Sequence, residues 1–224
     1  MPELRRDGDV FVLDIGDGEN RFNPGWLDDI ETALDIVERA DGPRALVTSA
    51  TGKFWSNGLD LAWMTEHADE VADVVHRVHG LFARLLSSPV PSVAAIQGHC
   101  FAAGAMLSLA HDQRVARADR GFWCLPEVDI NIPFTPGMSA LIQARLTPAA
   151  AHQAMTTAHR YGGHDALAAG IVDAAVGEDE VLATATGRAE ALAPKAGPTL
   201  AAIRTGMYGP ALEALRRDIP IVLP

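Results

Sequence analysis

The stretch PSVAAIQGHCFAAGAMLSLAHDQRVARAD, residues 91–119, is the part of the chain that most directly indicates its fold. It begins with a continuous apolar run between a proline and a glycine, which is typical of a buried strand. FAAGAMLSLAHD then predicts a closely packed helix with small residues at its start, and RVARA predicts a further short strand. This succession of strand, glycine-bearing turn, helix and strand indicates an α/β fold with a largely parallel sheet.

The rest of the chain repeats and extends this pattern. Residues 44–62 again combine an apolar strand, a glycine-bearing turn and the start of a helix. Helices dominate the last third, with one strand signal at GIVDAAV, and their predicted ranges are 135–145, 148–157, 163–169, 178–193, 197–207 and 210–217. We therefore divide the chain into an α/β core, residues 1–188, and a short helical C-terminal segment, residues 189–224.

Composition and charge restrict the classes of function. Of the 224 residues, 48% are hydrophobic, which is sufficient for one large core. There are 18 Lys and Arg against 29 Asp and Glu, a net charge of −11, so binding of nucleic acid through the overall field is disfavoured. No window reaches roughly 18 uninterrupted apolar residues, so no membrane span is expected. Two cysteines without a CxxC pair, and an N-terminus without an apolar signal region, predict a cytoplasmic protein.

The common catalytic motifs are not found in the sequence. It contains no G-x-G-x-x-G after a strand, no phosphate-binding G-x-x-x-x-G-K-[ST] and no G-x-S-x-G nucleophile motif. His76 and His79 have helical spacing, but without a nearby acidic or cysteine partner we interpret them as a solvated pair, and we expect no metal site. Ser108 and His111 are likewise interpreted as polar residues within helix packing rather than as parts of a catalytic triad.

The two strand–turn–helix junctions, one in each repeated unit, are the first candidate for chemistry. Backbone N–H groups at a helix start lack intrahelical acceptors and favour negative charge. Two such junctions aimed at one point would form an oxyanion hole, and the small residues at 56–58 and 102–104 would let a substrate carbonyl approach the main chain. Tight turns and close helix–sheet packing explain the same small residues equally well, so the residues alone leave both interpretations open.

A carboxylate in an apolar run is the second candidate. Glu127 lies in GFWCLPEVDINIPF, residues 121–134, and Asp129 follows two residues later. Burial of a charge among apolar side chains is unfavourable unless the charge is paired, so Glu127 is either solvated on a loop or held in a dry site as a base. In an extended chain Asp129 lies on the same side as Glu127, and we prefer a structural or surface role for it over a helper role.

Four ordered segments resemble the crotonase superfamily, the enoyl-CoA hydratases and isomerases. KFWSNGLDL is similar to its first oxyanion segment, and the stretch 91–119 is similar to its second. GFWCLPEVDINIPFTPGM resembles its P-E-x-x-x-x-x-P segment, and HRYGGHDALAAGIVDAAV resembles its A-x-x-A-x-x-x-G-[LI]-V-[DN] stretch. The match runs in the right order from about residue 8 to about residue 208. Within the superfamily the chain is most similar to the Δ3,Δ2-enoyl-CoA isomerases of the peroxisomal type.

The resemblance implies a fold, a ligand class and an assembly. The implied fold is an α/β spiral of ββα units with a helical C-terminal part, in which segment 189–224 serves oligomerisation and forms part of the pocket wall. The implied ligands are acyl-CoA thioesters, with CoA as part of the substrate and no separate cofactor. The implied assembly is a homotrimer or a dimer of trimers.

The resemblance also assigns residues to the site. The oxyanion donors are the backbone N–H groups of Leu59 and Ala103, and the catalytic carboxylate is Glu127. Met106 occupies the position at which hydratases carry a second catalytic glutamate. The expected substrate- and CoA-binding residues are Lys53, Trp55, Ser56, Asn57, Gly58, Asp60, Leu61, Trp63, Met64, Met106, Leu125, Ile132 and Phe134.

A single carboxylate favours one of the reactions of the superfamily. Addition of water to an enoyl thioester usually uses two positioned carboxylates, and methionine cannot activate water. Movement of a double bond from C3 to C2 requires one base, so we predict a Δ3,Δ2-enoyl-CoA isomerase that works through Glu127. An enoyl-CoA hydratase or another acyl-CoA enzyme of the superfamily is the alternative, and a non-catalytic acyl-CoA binder is the second. For Trp63 and Met64, ordinary core packing is an equal alternative to lining an acyl tunnel.

Overall fold

Two β-sheets organise the chain in the computed structural model, which describes residues 2–217. Neighbouring strands of the larger sheet are, in order, β1 (Glu3–Asp7), β2 (Val10–Asp14), β3 (Ala45–Ser49), β5 (Ser92–Ile96), β7 (Gln113–Arg117) and β9 (Ala174–Val176). The smaller sheet contains β4 (Phe54–Ser56), β6 (His99–Phe101) and β8 (Trp123–Cys124). Every neighbouring pair is parallel except β1 with β2.

Helices lie between the strands and fill the last third of the described chain. They are α1 (Pro24–Arg39), α2 (Leu61–Glu66), α3 (Val71–Leu86), α4 (Ala103–Ala110), α5 (Pro136–Arg145), α6 (Pro148–Thr157), α7 (Gly163–Ala168), α8 (Val181–Leu192), α9 (Pro198–Met207) and α10 (Gly209–Arg216). The helices predicted after residue 135 are confirmed, and a 3₁₀ turn at Glu178–Glu180 precedes α8. No helix among residues 2–217 is long and apolar enough to cross a membrane.

The chain advances as a spiral of ββα units, as expected. Each unit adds one strand to the larger sheet, one to the smaller sheet and then a helix, and the units are β3–β4–α2, β5–β6–α4 and β7–β8–α5. The sequence predicts two of these units. It interprets β4 as part of a turn and places Phe101 of β6 at the start of a helix, and both interpretations are wrong, because strands of three residues are too short to show an alternating pattern.

The larger sheet is covered on both faces, as parallel sheets require. Small residues of α8, including Ala185 and Ala189, pack on one face against Val12, Val47 and Val93. The opposite face contributes to the main core, together with buried side chains of α1, α3 and α4. The larger sheet is therefore held between two apolar layers, and both predicted junctions follow strands of the smaller sheet, β4 and β6.

The C-terminal helices are attached to the core by buried contacts. Arg204 of α9 forms an ion pair with Asp112 and donates to the carbonyl of Val90 at 3.0 Å. At Gly137 of α5 an added Cβ would lie 2.9 Å from the Cα of Leu215, so α5 and α10 touch through their backbones. The proposed boundary at residue 188 falls within α8, and the division into two segments stays a prediction; residues 218–224 lie outside the described part.

Candidate active site

The two predicted junctions meet in space. Gly58 has a φ of +79°, and a Cβ added to it would lie 2.8 Å from the backbone nitrogen of Ala103. A Cβ added to Gly104 would lie 2.7 Å from the Cβ of Ser56. Any larger side chain at these two glycines would separate the junctions, so the small residues serve a close approach of two backbones.

The N–H group of Leu59 is left free by the hydrogen bonds on either side of it. Phe22 N–H donates to the carbonyl of Gly58 at 2.8 Å, and Asp60 N–H donates to the carbonyl of Phe22 at 3.2 Å. These bonds form an isolated parallel bridge between Phe22 and Leu59. Leu59 N–H itself has no acceptor among residues 2–217 and is available to a ligand.

The N–H group of Ala103 is free for a different reason. Ala103 is the first residue of α4, where N–H groups have no intrahelical acceptor, and none is found elsewhere in the described chain. The preceding Ala102 adopts a φ of 52°, which is unusual for alanine and is held by its N–H bond to the carbonyl of Cys124 at 3.0 Å. A residue in such a conformation typically costs about 1–3 kcal/mol, so this junction carries backbone strain.

Both free N–H groups belong to residues that line one cavity of about 190 Å³. Most of its lining is apolar, and Glu127 is the one carboxylate residue among the described lining residues. The lining consists of Arg21, Asn57, Leu59, Leu61, Phe101, Ala102, Ala103, Met106, Pro126, Glu127, Ile130, Ile132, Pro133 and Met138. Two hydrogen-bond donors and one carboxylate therefore share a small apolar space.

Glu127 is buried without being satisfied. Its side chain is 6% exposed, and Oε2 has no hydrogen-bond partner within residues 2–217. Burial raises the pKa of Glu127 to about 7. A carboxyl group with this pKa is present both as an acid and as a base near neutral pH, which suits proton transfer.

A tight turn places Glu127 in the cavity and directs Asp129 away from it. The N–H groups of Asp129 and Ile130 both donate to the carbonyl of Pro126, at 2.9 and 3.2 Å, and Ile132 N–H donates to the carbonyl of Glu127 at 3.1 Å. The assumption of an extended chain is therefore wrong here. Asp129 is exposed on the turn and is not part of the cavity lining, consistent with the preferred surface role.

The structure brings together about half of the residues predicted for the site. The predicted residues that line the cavity are Asn57, Leu59, Leu61, Ala103, Met106, Glu127 and Ile132. Ser56 and Gly58 lie behind this wall and shape the junction contact. Met106 is 1% exposed, so a thioether occupies the place at which a second carboxylate would stand.

Other predicted binding residues lie in the core rather than in the cavity lining. Trp55, Met64 and Leu125 are at most 2% exposed, and the indole N–H of Trp55 donates to the carbonyl of Thr48 at 3.3 Å. Phe134 is half-buried and packs against the same core. None of these four side chains lines the cavity of about 190 Å³, and their predicted contacts with substrate stay predictions.

The remaining predicted residues have contacts of their own. Asp60 caps α2 by accepting the N–H of Trp63 at 3.2 Å, and the indole of Trp63 stacks on His67 with ring centroids 4.3 Å apart. Lys53 lies apart from the cavity, in a second cavity of about 320 Å³ that is also lined by Arg117 and Arg120. Its expected role in binding substrate or CoA stays a prediction.

Sequence reasoning missed Arg21, Phe101 and Met138 as lining residues. Phe101 stands directly before the second junction, and its position two residues from Ala103 is a usable signal. Arg21 and Met138 come from distant segments, and Arg21 is drawn to the site by the bridge of its neighbour Phe22. No local pattern in the sequence predicts that residues from distant segments line the cavity.

The rejected motifs do have structural roles. Ser108 donates to the carbonyl of Ala105 at 2.6 Å, and His111 contacts the Oγ1 of Thr48 at 2.8 Å, so they share no catalytic hydrogen bond. His79 is fully buried and contacts the Oγ1 of Thr135 at 2.9 Å, so its interpretation as solvated is wrong. Within residues 2–217 no group of His, Cys, Asp and Glu has the arrangement of a metal site.

Comparisons with known proteins agree with this geometry. The model of the enoyl-CoA hydratase/isomerase family matches residues 8–219. The peroxisomal enoyl-CoA delta isomerase 2 of Arabidopsis thaliana is 38% identical over 93% of this chain and 92% of that protein. An enoyl-CoA hydratase structure from Mycobacterium marinum has a TM-score of 0.88 and 30% identity, covering 97% of this chain and 95% of that one. Human mitochondrial delta3-delta2-enoyl-CoA isomerase, 24% identical, shares the fold with a TM-score of 0.87 over 96% of this chain and 85% of its own.

The family match spans nearly the whole chain, and the relatives are covered almost completely. The ββα spiral and the paired junctions are thus found in a chain that belongs to the enoyl-CoA hydratase/isomerase family, the crotonase superfamily.

Proposed function

We propose that the chain is an enoyl-CoA isomerase that moves a double bond from C3 to C2 of an acyl-CoA thioester, with Glu127 as its only proton-transfer residue. The observation that carries this proposal is the single carboxylate in a cavity lined by two free backbone donors. The Arabidopsis relatives that are 33–38% identical are named enoyl-CoA delta isomerases, which supports the same activity.

The proposed reaction needs one base and one oxyanion hole. Ionised Glu127 removes a proton from C2, and the electrons of that C–H bond delocalise through the C3–C4 double bond and the thioester into a dienolate. The negative charge on the thioester oxygen is stabilised by the N–H groups of Leu59 and Ala103, each typically contributing about 2.7–4 kcal/mol to such a transition state. Protonated Glu127 then returns the proton at C4, so the double bond lies between C2 and C3 and the enzyme is unchanged.

The site is less suited to the addition of water. Hydration requires one group to activate water and another to deliver a proton to C2, and Met106 can do neither. The Mycobacterium marinum relative is named a hydratase, so hydration is the second candidate to be assayed. Formation of 3-hydroxyacyl-CoA from 2-enoyl-CoA at a rate above that of isomerisation would overturn the proposed reaction.

The decisive variant is Glu127→Gln, which keeps the shape of the side chain and removes its ability to accept a proton. We expect isomerisation of 3-enoyl-CoA to fall by roughly 10²–10⁴-fold, the usual contribution of a general base, while acyl-CoA binding measured by calorimetry is retained. Asp129→Asn is the matched control, because it neutralises an exposed carboxylate two residues away. Equal activity in the two variants would contradict the role of Glu127, and binding without turnover by the unsubstituted protein would favour a non-catalytic binder.

We further propose that copies of the chain assemble into a ring, a homotrimer or a dimer of trimers. The outer face of the smaller sheet supports this, because a parallel sheet is rarely left uncovered. His99 lies at the centre of that face, with ring centroids 5.4, 5.0 and 5.7 Å from those of Phe54, Phe101 and Phe122. Phe122 is 40% exposed, so the described residues leave this face open.

The charges around this aromatic face favour a ring over a two-fold dimer. Burial lowers the pKa of His99, and the positive charges of Lys53, Arg160 and Arg120 lower it further. In a two-fold dimer these cations would oppose their own copies, whereas a different, acidic surface of the next subunit would attract them. We expect Phe122→Asp to reduce the mass found by light scattering and Ile36→Asp, at another exposed apolar position, to leave it unchanged. A monomer in the unsubstituted protein would contradict the assembly.

A further inference from the structure

The two oxyanion donors are supported very unequally. Ala103 N–H is fixed by the start of a fully buried helix. Leu59 N–H belongs to a short connection between β4 and α2. Before Leu59, the N–H of Asn57 donates to the carbonyl of Glu19 at 2.8 Å and that of Gly58 donates to Ser56 Oγ at 3.1 Å, and the isolated bridge to Phe22 holds Leu59 itself. An isolated bridge opens more easily than a continuous ladder, so a further contact beside it would steady the donor.

Such a contact is present one residue further along both segments. The Nδ2 group of Asn23 donates to Oδ2 of Asp60 at 3.2 Å, and these residues directly follow Phe22 and Leu59. Asn23 Oδ1 accepts the N–H of Trp26 at 3.0 Å and so caps α1, while Asp60 Oδ1 accepts the N–H of Trp63 at 3.2 Å and so caps α2. Each side chain therefore uses one atom for its helix and the other for its partner.

We infer that Asn23 is a positioning residue that holds the Leu59 N–H at the thioester oxygen by linking the first turns of α1 and α2 through Asp60. The inference rests on the proposed function, since it concerns the oxyanion hole of that reaction. The hydrogen bond between Asn23 and Asp60 joins the two segments one residue beyond the Phe22–Leu59 bridge. The Leu59 N–H therefore cannot rotate away without breaking a hydrogen bond between the N-caps of α1 and α2. Misplacement of a catalytic group by about 1 Å can lower a rate about a hundredfold.

The pair can be broken and restored by exchanging its two side chains. Asn23→Asp keeps an oxygen for the cap of α1 but places a carboxylate against Asp60, whereas Asn23→Ser keeps a cap and is too short to reach Asp60. For both variants we expect kcat to fall roughly tenfold to a hundredfold with a KM that changes little, because the lost interaction belongs to the transition state. In the double variant Asn23→Asp/Asp60→Asn, donor and acceptor change places, and kcat should recover most of the loss.

A matched control separates positioning from general stability. Thr147→Ala removes the N-cap of α6, where the Oγ1 of Thr147 accepts the N–H of Ala150 at 3.3 Å. Thr147 does not line the cavity. It should lower the melting temperature as the Asn23 variants do and leave kcat unchanged. If the exchanged pair recovers stability but not kcat, or if Asn23→Ser keeps full kcat, the inference is overturned.

A spectroscopic measurement tests the donor without relying on turnover. Butyryl-CoA labelled with carbon-13 at the carbonyl is bound to the Glu127→Gln protein, and hydrogen bonds from the oxyanion donors lower its carbonyl stretching frequency. We expect Asn23→Ser in that background to reduce this lowering, and the exchanged pair to restore it. If the band responds in this way but the unsubstituted protein does not isomerise 3-enoyl-CoA, the proposed reaction alone is overturned. A band that Asn23→Ser leaves unchanged, or one that butyryl-CoA binding never lowers, would overturn the inference.

Discussion

Glu127 in the cavity and His111 at the end of α4 are both buried titratable side chains, but their surroundings differ. His111 is 1% exposed, and its two ring nitrogens contact the carbonyl of Leu107 at 2.9 Å and the Oγ1 of Thr48 at 2.8 Å. Glu127 is 6% exposed, and its Oε2 has no partner among residues 2–217. Burial lowers the pKa of His111 to about 4 and raises that of Glu127 to about 7.

We interpret this difference as that between a structural polar group and the proposed base. Buried polar groups are normally hydrogen-bonded, and those near His111 follow this rule, since Trp123 Nε1 also donates to Ser108 Oγ at 3.1 Å. Glu127 departs from this rule, and Ala102, which lines the same cavity, has a strained backbone. Both features destabilise the folded state, and their presence in one cavity is what a site adapted to bind a substrate would show.

The largest expected effect is a gain of stability on removal of the unsatisfied charge. An ionised Glu127 is unfavourable in the folded state, since its pKa there is about 7 against 4.5 for an unperturbed group. The penalty is absent below pH 4.5, grows as pH rises and is complete above pH 7, where it amounts to about 3 kcal/mol. Glu127→Gln should therefore raise the free energy of unfolding by up to about 3 kcal/mol at pH 8, with a gain that vanishes towards pH 4.5.

Urea unfolding at pH 8 and at pH 5 measures this gain. Asp129→Asn is the control, because substitution of an exposed residue typically changes the free energy of unfolding by less than about 0.5 kcal/mol. If Glu127→Gln gave equal gains at pH 5 and pH 8, burial would not be the source of the effect.

The pH dependence of catalysis follows from the same carboxyl group. In the proposed reaction only ionised Glu127 removes the proton, so kcat/KM should be constant above pH 7 and fall about tenfold per pH unit below it, or about a hundredfold by pH 5. Steady-state rates with 3-enoyl-CoA between pH 5 and pH 9 test this. The whole range lies above the pKa of His111, so this buried imidazole stays neutral throughout the measurement. A profile that is flat from pH 5 to pH 8 would exclude Glu127 as the base.

Substitution near His111 should change the free energy of unfolding without changing kcat. Thr48→Val keeps the shape of the side chain but leaves the Nε2 of His111 buried without a partner, which typically lowers the free energy of unfolding by about 1–3 kcal/mol. The kcat of the folded protein should not change, because Thr48 does not line the cavity. Thr51→Val, at an exposed threonine nearby, is the matched control and should be close to neutral. A loss of kcat in Thr48→Val at full folding would show that the two regions are coupled.

The cavity around Glu127 could be predicted from the sequence only in part. The resemblance of the four ordered segments to the crotonase superfamily implies the ββα spiral, and a charge in the apolar run around Glu127 already requires an explanation. The face that each residue presents is not predictable in the same way. Trp55 and Leu61 are both close to the first junction, yet only Leu61 lines the cavity, because a three-residue strand and the start of α2 decide their directions.

Contacts between distant segments are the other part that the sequence does not specify. The bridge from Phe22 to Leu59 joins residues 37 positions apart and brings Arg21 to the cavity. The turn after Pro126 likewise depends on backbone hydrogen bonds that no side-chain pattern encodes. For this reason the sequence-based prediction of an extended chain at Asp129 is wrong. Local periodicity reports burial within an element, whereas these features arise between elements.

The smallest expected effect concerns the strain at Ala102. With a φ of 52° and a ψ of −127°, this alanine occupies a region that glycine adopts readily, so Ala102→Gly relieves strain while it adds freedom to the unfolded chain. These opposing terms should leave a net gain below about 1 kcal/mol in the free energy of unfolding, whereas Ala105→Gly inside α4 should lose about 1 kcal/mol or more. Parallel urea titrations compare the two, with kcat of the Ala102 variant expected to be unchanged. If both substitutions lowered the free energy of unfolding equally, Ala102 would not be strained. The backbone of the cavity would then be as free of strain as the backbone near His111.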